Sequence, residues 1–125
     1  MIFRVARHTS NIEKLSHFYS SILGFEVLGS FKNHDNYDGV FLGKRNENWH
    51  LEFTQSNEAS KAVFDDDDIL VFYPTSQSEY DQILENLKKH QVPIFEPKNS
   101  YWKVNGKCFE DCDRHKIIVS HLKIQ

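Results

Sequence analysis

The sequence has few cysteines and no long apolar or basic segment, and these shortages exclude several classes of protein. Only two of its 125 residues are cysteine, too few for a disulfide framework, which favours a reduced, cytoplasmic protein. No apolar run approaches the roughly 20 residues of a membrane-spanning helix, and the first residues lack the apolar segment of a signal peptide. The net charge is -3 and no segment gathers Lys and Arg, so we expect neither nucleic-acid nor membrane partners.

The remaining composition is that of one globular domain spanning residues 1–125. Hydrophobic residues make up 39% of the chain and charged residues 26%, proportions that are ordinary for a folded domain. The length is close to the commonest domain size and is sufficient to bury a core without disulfides or structural metal ions. We therefore expect a single domain.

The first half of the chain predicts a strand, a helix and three further strands. Apolar residues recur at helical spacing from Ile12 to Leu23, after a capping box formed by Ser10 and Glu13 and before a terminating Gly24. The flanking segments alternate apolar and polar residues or are bounded by turn residues, as strands are. The predicted strands are residues 2–7, 25–31, 37–42 and 49–54.

The second half repeats this order. Residues 69–73 are continuously apolar and predict a strand buried on both faces, and Ser76 with Glu79 forms another capping box. The helix that follows has the apolar stripe Tyr80, Ile83, Leu84 and Leu87, and residues 93–96, 104–110 and 116–122 are further strand candidates. We therefore predict an α+β fold, with two βαβββ modules at about residues 1–55 and 68–125 that form a curved mixed sheet around a cleft.

Strand parity predicts which side chains line this cleft. In residues 49–55, Leu51 and Phe53 share one face, which the helices are expected to cover, and polar residues share the other. A concave polar sheet face is a natural site for a small ligand. The predicted cleft-lining residues are Arg4, His50, Glu52, Thr54, Lys116 and Ser120, with Phe72 as an aromatic candidate for stacking on a flat ligand.

Three segments resemble the vicinal oxygen chelate superfamily, which includes glyoxalase I, bleomycin-resistance proteins and extradiol dioxygenases. They are FYSSILGF at residues 18–25, LEF at residues 51–53 and FEDCDRHKI at residues 109–117. In the last segment Cys112 and Arg114 replace the usual Pro and Gly. The resemblance covers the whole chain in element order and implies the glyoxalase-like fold, although a fold alone does not fix an activity.

The resemblance also marks four positions at which metal-dependent members hold a divalent ion. In this sequence they are Arg4, Glu52, Asp68 and Ile118. A guanidinium is a permanent cation and an isoleucine has no lone pair, so two of the four cannot be ligands. We therefore predict no metal cofactor, with Glu52, His50 and Asp68 as the candidates should a divalent ion bind in a rearranged site.

Arg4 and Glu52 leave two interpretations open. The guanidinium could neutralise the carboxylate as a charge-assisted pair in a partly desolvated cleft. Alternatively, Arg4 extends into solvent and Glu52 is hydrated. His50 is likewise either an acid–base group or a pocket-lining side chain that is hydrogen-bonded to a neighbour.

Other conspicuous residues have simpler interpretations. Residues 65–68, four consecutive aspartates, lack the spaced oxygen donors of a calcium loop and are expected to be a solvated linker. Cys108 and Cys112 match no redox or zinc motif that we would rely on, and Cys108 is expected to be a small buried residue. The polar segment 34–39 is expected to be a hairpin connection that could also border a pocket.

The sequence supports two functions of different classes. The first is a metal-free protein of the bleomycin-resistance type that binds a small polar or aromatic molecule. The second is a metal-dependent lyase or dioxygenase of the glyoxalase type with a rearranged metal site. The residues at the four ligand positions favour the first, catalytic residues remain unassigned, and the resemblance implies a homodimer.

Overall fold

Strands and helices alternate along the chain in the computed structural model, which describes all residues from Met1 to Gln125. Contacts divide the chain into two units, Met1–Ala62 and Val63–Gln125. None of the helices is both long and apolar enough to cross a membrane.

The first unit contains five elements in the predicted order. They are β1 (Phe3–His8), α1 (Ile12–Leu23), β2 (Glu26–His34), β3 (Tyr37–Gly43) and β4 (Trp49–Gln55). The sheet order is β1-β4-β3-β2, in which β1 lies parallel to β4 and the other pairs are antiparallel. The predicted βαβββ module is therefore present in this unit.

Helix α1 covers one face of this sheet with the predicted apolar stripe. Leu15, Tyr19 and Ile22 are buried, and the Tyr19 ring packs 5.1 Å from that of Phe53 on β4. The helix ends as predicted at Gly24, whose φ of 70° lies in the left-handed region that glycine tolerates.

The predicted capping residue of α1 was wrong by one position. Asn11 caps the helix by accepting a hydrogen bond from the Lys14 backbone N–H, whereas the Ser10 hydroxyl accepts one from the Ser60 backbone N–H. Both residue types are good caps, so the alternative contact of Ser10 decides between them.

The apolar side chains of β1 are less covered than strand parity predicted. Phe3 is 62% exposed and Val5 38%, because β1 is the outermost strand of its sheet. Parity places them on the same face as Leu51 and Phe53. Those two residues of β4 are buried, whereas Phe3 and Val5 on β1 are not.

The second unit departs from the predicted pattern. Its elements are β5 (Ile69–Phe72), α2 (Gln77–Lys89), α3 (Tyr101–Asn105), β6 (Gly106–Glu110) and β7 (Lys116–Ser120), with sheet order β5-β7-β6. The predicted strand at residues 93–96 is reduced to a single bridge between Phe95 and Cys108, and residues 104–105 belong to α3. Strand β5 is half-buried throughout, not fully buried as predicted, because it is an edge strand.

Helix α2 matches its prediction closely. The Ser76 hydroxyl accepts a hydrogen bond from the Glu79 backbone N–H, and Lys88 and Lys89 occupy the last turn. Tyr80, Ile83 and Leu87 are buried, and Leu84 is half-buried. Together, the four-stranded and three-stranded mixed sheets with their helices confirm the predicted α+β class.

Candidate functional site

The polar face of the first sheet forms as strand parity predicts. Leu51 and Phe53 are buried on the helix side of β4, so His50, Glu52 and Thr54 lie on the opposite side. Arg4 on β1 is directly opposite His50 in the parallel pairing. We call this surface the first-sheet face.

The guanidinium of Arg4 is held by His50. Arg4 Nε donates a hydrogen bond of 2.9 Å to His50 Nε2. The accepting nitrogen must have a free lone pair, so in this arrangement the imidazole is neutral with its proton on Nδ1. The hydrogen-bonded interpretation of His50 is therefore the one that the structure shows.

Arg4 also pairs with Glu52, although not as a bidentate hydrogen bond. Arg4 Nη1 lies 3.6 Å from Glu52 Oε1, with side chains that are 50% and 12% exposed, respectively. The structure thus combines the two interpretations left open by the sequence, since the charges are paired while the guanidinium still reaches solvent. The carboxylate of Glu52 has no hydrogen bond within the protein.

An aromatic surface lies beneath this charged pair. The Arg4 guanidinium carbon is 4.8 Å from the centre of the Phe41 ring, which in turn contacts Phe31 with 5.9 Å between ring centres. The ring of Phe31 lies so close to Gly39 that a Cβ at this position would be 2.2 Å from it. Gly39 therefore allows the Phe31 ring to pack closely against the backbone of β3.

Sequence reasoning missed Phe31 and Phe41 as site residues. The signal was available in β3, because Phe41 alternates with the buried Val40 and Leu42 and must therefore lie on the opposite face. Phe31 is harder to place from sequence, since the pairing of β2 with β3 changes register on both sides of the segment that contains it.

A smaller polar group lies at the other end of β1. His8 is opposite Thr54 in the strand pairing, and its Nε2 is 3.1 Å from the hydroxyl oxygen of Ser56. The His8 ring also contacts that of Tyr37 edge-on at 6.4 Å. These side chains extend the first-sheet face beyond Thr54.

In the second unit, Lys116 forms an ion pair. Lys116 Nζ donates a hydrogen bond of 2.7 Å to Glu110 Oε2 and lies 3.6 Å from Asp66 Oδ1. The hydrogen bond to Glu110 raises the pKa of Lys116 above its usual value. With an 18% exposed side chain, Lys116 is occupied by these acidic partners.

Ser120 does not lie on an open polar face. It is fully buried, its hydroxyl donates a hydrogen bond of 2.6 Å to the Asn105 carbonyl, and it accepts one from the Leu122 backbone N–H. Strand parity predicted that Ser120 lies on an exposed polar face, and this was wrong. Strand β7 is buried on both faces, so its alternating residues are not divided into a buried and an exposed side. Phe72 is half-buried at the end of β5.

The positions of metal ligands in related proteins do not supply a donor set here. Asp68 is exposed in the turn before β5, where its backbone N–H donates to the Asp65 carbonyl, and Ile118 is buried within β7. No group of three His, Cys, Asp or Glu side chains is placed to hold a metal ion. On the first-sheet face, His50 and Glu52 both contact the cation Arg4, so the residues present do not fit a divalent ion.

Cys108 is a buried side chain of β6, as expected. It is 2% exposed, and this burial raises the pKa of its thiol above the usual value. It borders a cavity of about 240 Å³ together with Ile94, Phe95 and Pro97. The raised pKa disfavours the nucleophilic thiolate at neutral pH.

Comparison with known proteins places the chain in a family. Models of the YycE-like N-terminal and C-terminal domains match residues 3–54 and 67–121, respectively. The chain is 36% identical over 121 residues to YycE of Bacillus subtilis (strain 168), a protein whose function is uncharacterised, and the match covers 96% of this chain and 87% of YycE. A crystal structure of Bacillus subtilis YycE superposes with a TM-score of 0.85 at 35% identity, covering 95% of this chain and 88% of that one.

More distant structures share the fold. The trypanothione-dependent glyoxalase I of Leishmania major gives a TM-score of 0.72 at 20% identity, covering 96% of this chain and 85% of that chain. The fosfomycin resistance protein FosX of Listeria monocytogenes, crystallised with Mn(II) and a dihydroxypropylphosphonic acid, gives 0.66 at 15% identity, with 94% and 88% covered. The two matched domains and the identity with YycE show that the chain belongs to the YycE-like family, and the shared fold confirms the predicted resemblance to the vicinal oxygen chelate superfamily.

Proposed function

We propose that this protein binds a small organic molecule on the first-sheet face without a divalent metal ion. The observation that carries the proposal is the guanidinium of Arg4, which contacts both His50 and Glu52. A divalent ion bound by these two side chains would have to approach a fixed positive charge within a few ångströms, and Coulomb repulsion opposes that. The same guanidinium offers hydrogen-bond donors to an organic ligand.

The shape and polarity of the first-sheet face support this proposal. Phe31 and Phe41 supply an apolar surface of two tilted rings, and Arg4 with Glu52 supplies a few convergent polar groups, which is the usual composition of a small-molecule site. We therefore assign ligand contact to Arg4, His50 and Glu52, with Thr54 farther along β4. Lys116 and Phe72 belong to the second unit, and contact of either with the ligand remains a prediction.

The metal content of the purified protein, combined with thermal-shift measurements, tests this function. We expect no stoichiometric divalent ion and no specific rise in Tm with Mn²⁺, Ni²⁺ or Zn²⁺, because a ligand stabilises a protein only if it binds the native state. A stoichiometric ion with a matching rise in Tm would contradict the proposal. It would favour the second candidate function, a metal-dependent lyase or dioxygenase with a rearranged site. This candidate is kept because His50 and Glu52 lie on the same face of β4.

We further propose a homodimer in the cytoplasm. Strand β1 is the outermost strand of its sheet and exposes the apolar side chains of Phe3 and Val5, a combination that favours association. Light scattering at micromolar concentration should give the mass of two chains. The mass of one chain would contradict the dimer and leave the binding function unaffected.

A further inference from the structure

The charged groups of the first-sheet face have unused hydrogen-bonding capacity. Of the five N–H groups of an arginine, only Nε–H of Arg4 donates a hydrogen bond within the protein, since Nη1 is 3.6 Å from Glu52, beyond hydrogen-bond distance. The Glu52 carboxylate accepts no hydrogen bond although its side chain is only 12% exposed. The Glu52 oxygens are not among the buried atoms that lack a hydrogen-bond partner, so they remain open to solvent, and the pair can bind a ligand that supplies both an acceptor and a donor.

The balance of charge restricts the ligand further. The charges of Arg4 and Glu52 cancel, and His50 is neutral because it accepts the Nε–H hydrogen bond. A ligand with one net charge would leave that charge uncompensated in a half-buried site, where uncompensated charge is penalised. A ligand whose own charges cancel satisfies both residues at once.

The distance between the two charged groups sets the spacing within the ligand. Because the atoms Nη1 and Oε1 are 3.6 Å apart, the ligand groups that contact them must lie close together in the ligand. A carboxylate and an ammonium attached to one carbon meet this requirement. The Phe31 ring, next to the Phe41 ring that Arg4 covers, would accommodate an attached flat apolar group.

We propose that the first-sheet face recognises an α-amino-acid head group bearing an aromatic side chain, with the carboxylate on Arg4 and the ammonium on Glu52. This inference rests on the proposed function and specifies its ligand class. Arg4 is oriented before binding by the His50 hydrogen bond and by the Phe41 ring, so little conformational freedom is lost when the carboxylate binds.

Calorimetric titration with three matched probes tests this specificity. L-phenylalanine carries both charged groups, 3-phenylpropanoate lacks only the ammonium, and 2-phenylethylamine lacks only the carboxylate. We expect L-phenylalanine to bind with a Kd about tenfold or more below that of either analogue, since each lost charge-assisted hydrogen bond costs about that factor. Equal or tighter binding of a single-charge analogue, or no binding of L-phenylalanine at millimolar concentration, would overturn the proposal.

A variant locates the discrimination at Glu52. Glu52→Gln should make L-phenylalanine and 3-phenylpropanoate bind within about twofold of each other, because the carboxylate that distinguishes them is removed. Glu85→Gln, the same change at an exposed residue of α2, should preserve the wild-type ratio. A preserved ratio in Glu52→Gln would overturn the assignment of the ammonium to Glu52. None of these outcomes bears on metal binding, so the metal measurement above remains an independent test of the proposed function.

Discussion

Replacing Arg4 and Glu52 singly and together measures how strongly the two charges interact. Unit charges 3.6 Å apart attract by about 1 kcal/mol in bulk water and by about 4–5 kcal/mol at an effective dielectric constant of ~20. Because the guanidinium is half-exposed, the interaction energy of the pair should be near the lower of these values. Because the carboxylate is mostly buried, the energy should still exceed that of a fully exposed pair. We expect a coupling free energy of about 1 kcal/mol between Arg4→Met and Glu52→Gln.

The individual costs follow from the remaining contacts. Arg4→Met also removes the hydrogen bond to His50 and the contact with the Phe41 ring, so we expect a loss of about 2 kcal/mol in the free energy of unfolding. Urea denaturation of the wild type, both single variants and the double variant gives the coupling.

A second ion pair in the same unit provides the matched control. Arg45 Nε lies 3.5 Å from Glu26 Oε2, but these side chains are 72% and 48% exposed. At nearly equal distance and greater exposure, Arg45→Met with Glu26→Gln should show coupling of about 0.5 kcal/mol or less. A coupling for Arg4 and Glu52 that is no greater than this control would refute the idea that burial of the carboxylate strengthens the pair.

Three further predictions concern the backbone and the thiols. Gly39→Ala should lower the free energy of unfolding by about 1–3 kcal/mol in urea denaturation, because its Cβ would overlap the Phe31 ring, and the loss should shrink in a Phe31→Ala background. Arg114→Gly should raise the free energy of unfolding by about 0.5–1 kcal/mol, since Arg114 has a φ of 68°, and destabilisation would show that its side chain holds the turn. Cys108 should react with iodoacetamide much more slowly than Cys112 at pH 8, because burial raises the pKa of its thiol, and mass spectrometry that finds equal rates would contradict this.

The first unit was predictable from sequence because its signals are local. The apolar stripe of α1 and the alternation in β4 each place side chains on a defined face without reference to distant residues. The positions of Arg4 and Glu52 on one face follow from that alternation. The hydrogen bond between Arg4 and His50 could not be predicted, since it depends on the register of β1 against β4.

The expectations that failed depend on tertiary context. Ser120 alternates like a surface residue, yet β7 is buried on both faces, and strand parity contains no information on what covers a strand. Residues 104–105 were predicted as the start of a strand but belong to helix α3, because the strand propensity of Val104 is outweighed by its surroundings in this helix of five residues. Ser10 lost the capping role to Asn11 through a contact with Ser60, fifty residues away in the sequence.

Chemical-shift mapping with a small-molecule fragment library in EDTA tests the central claim most directly. The account predicts that bound fragments perturb backbone amides of Arg4, Phe41, His50 and Glu52 on the first-sheet face, with metal ions removed by the chelator. Fragments that bind only after a divalent ion is added, or that perturb only residues of the second unit, would contradict it.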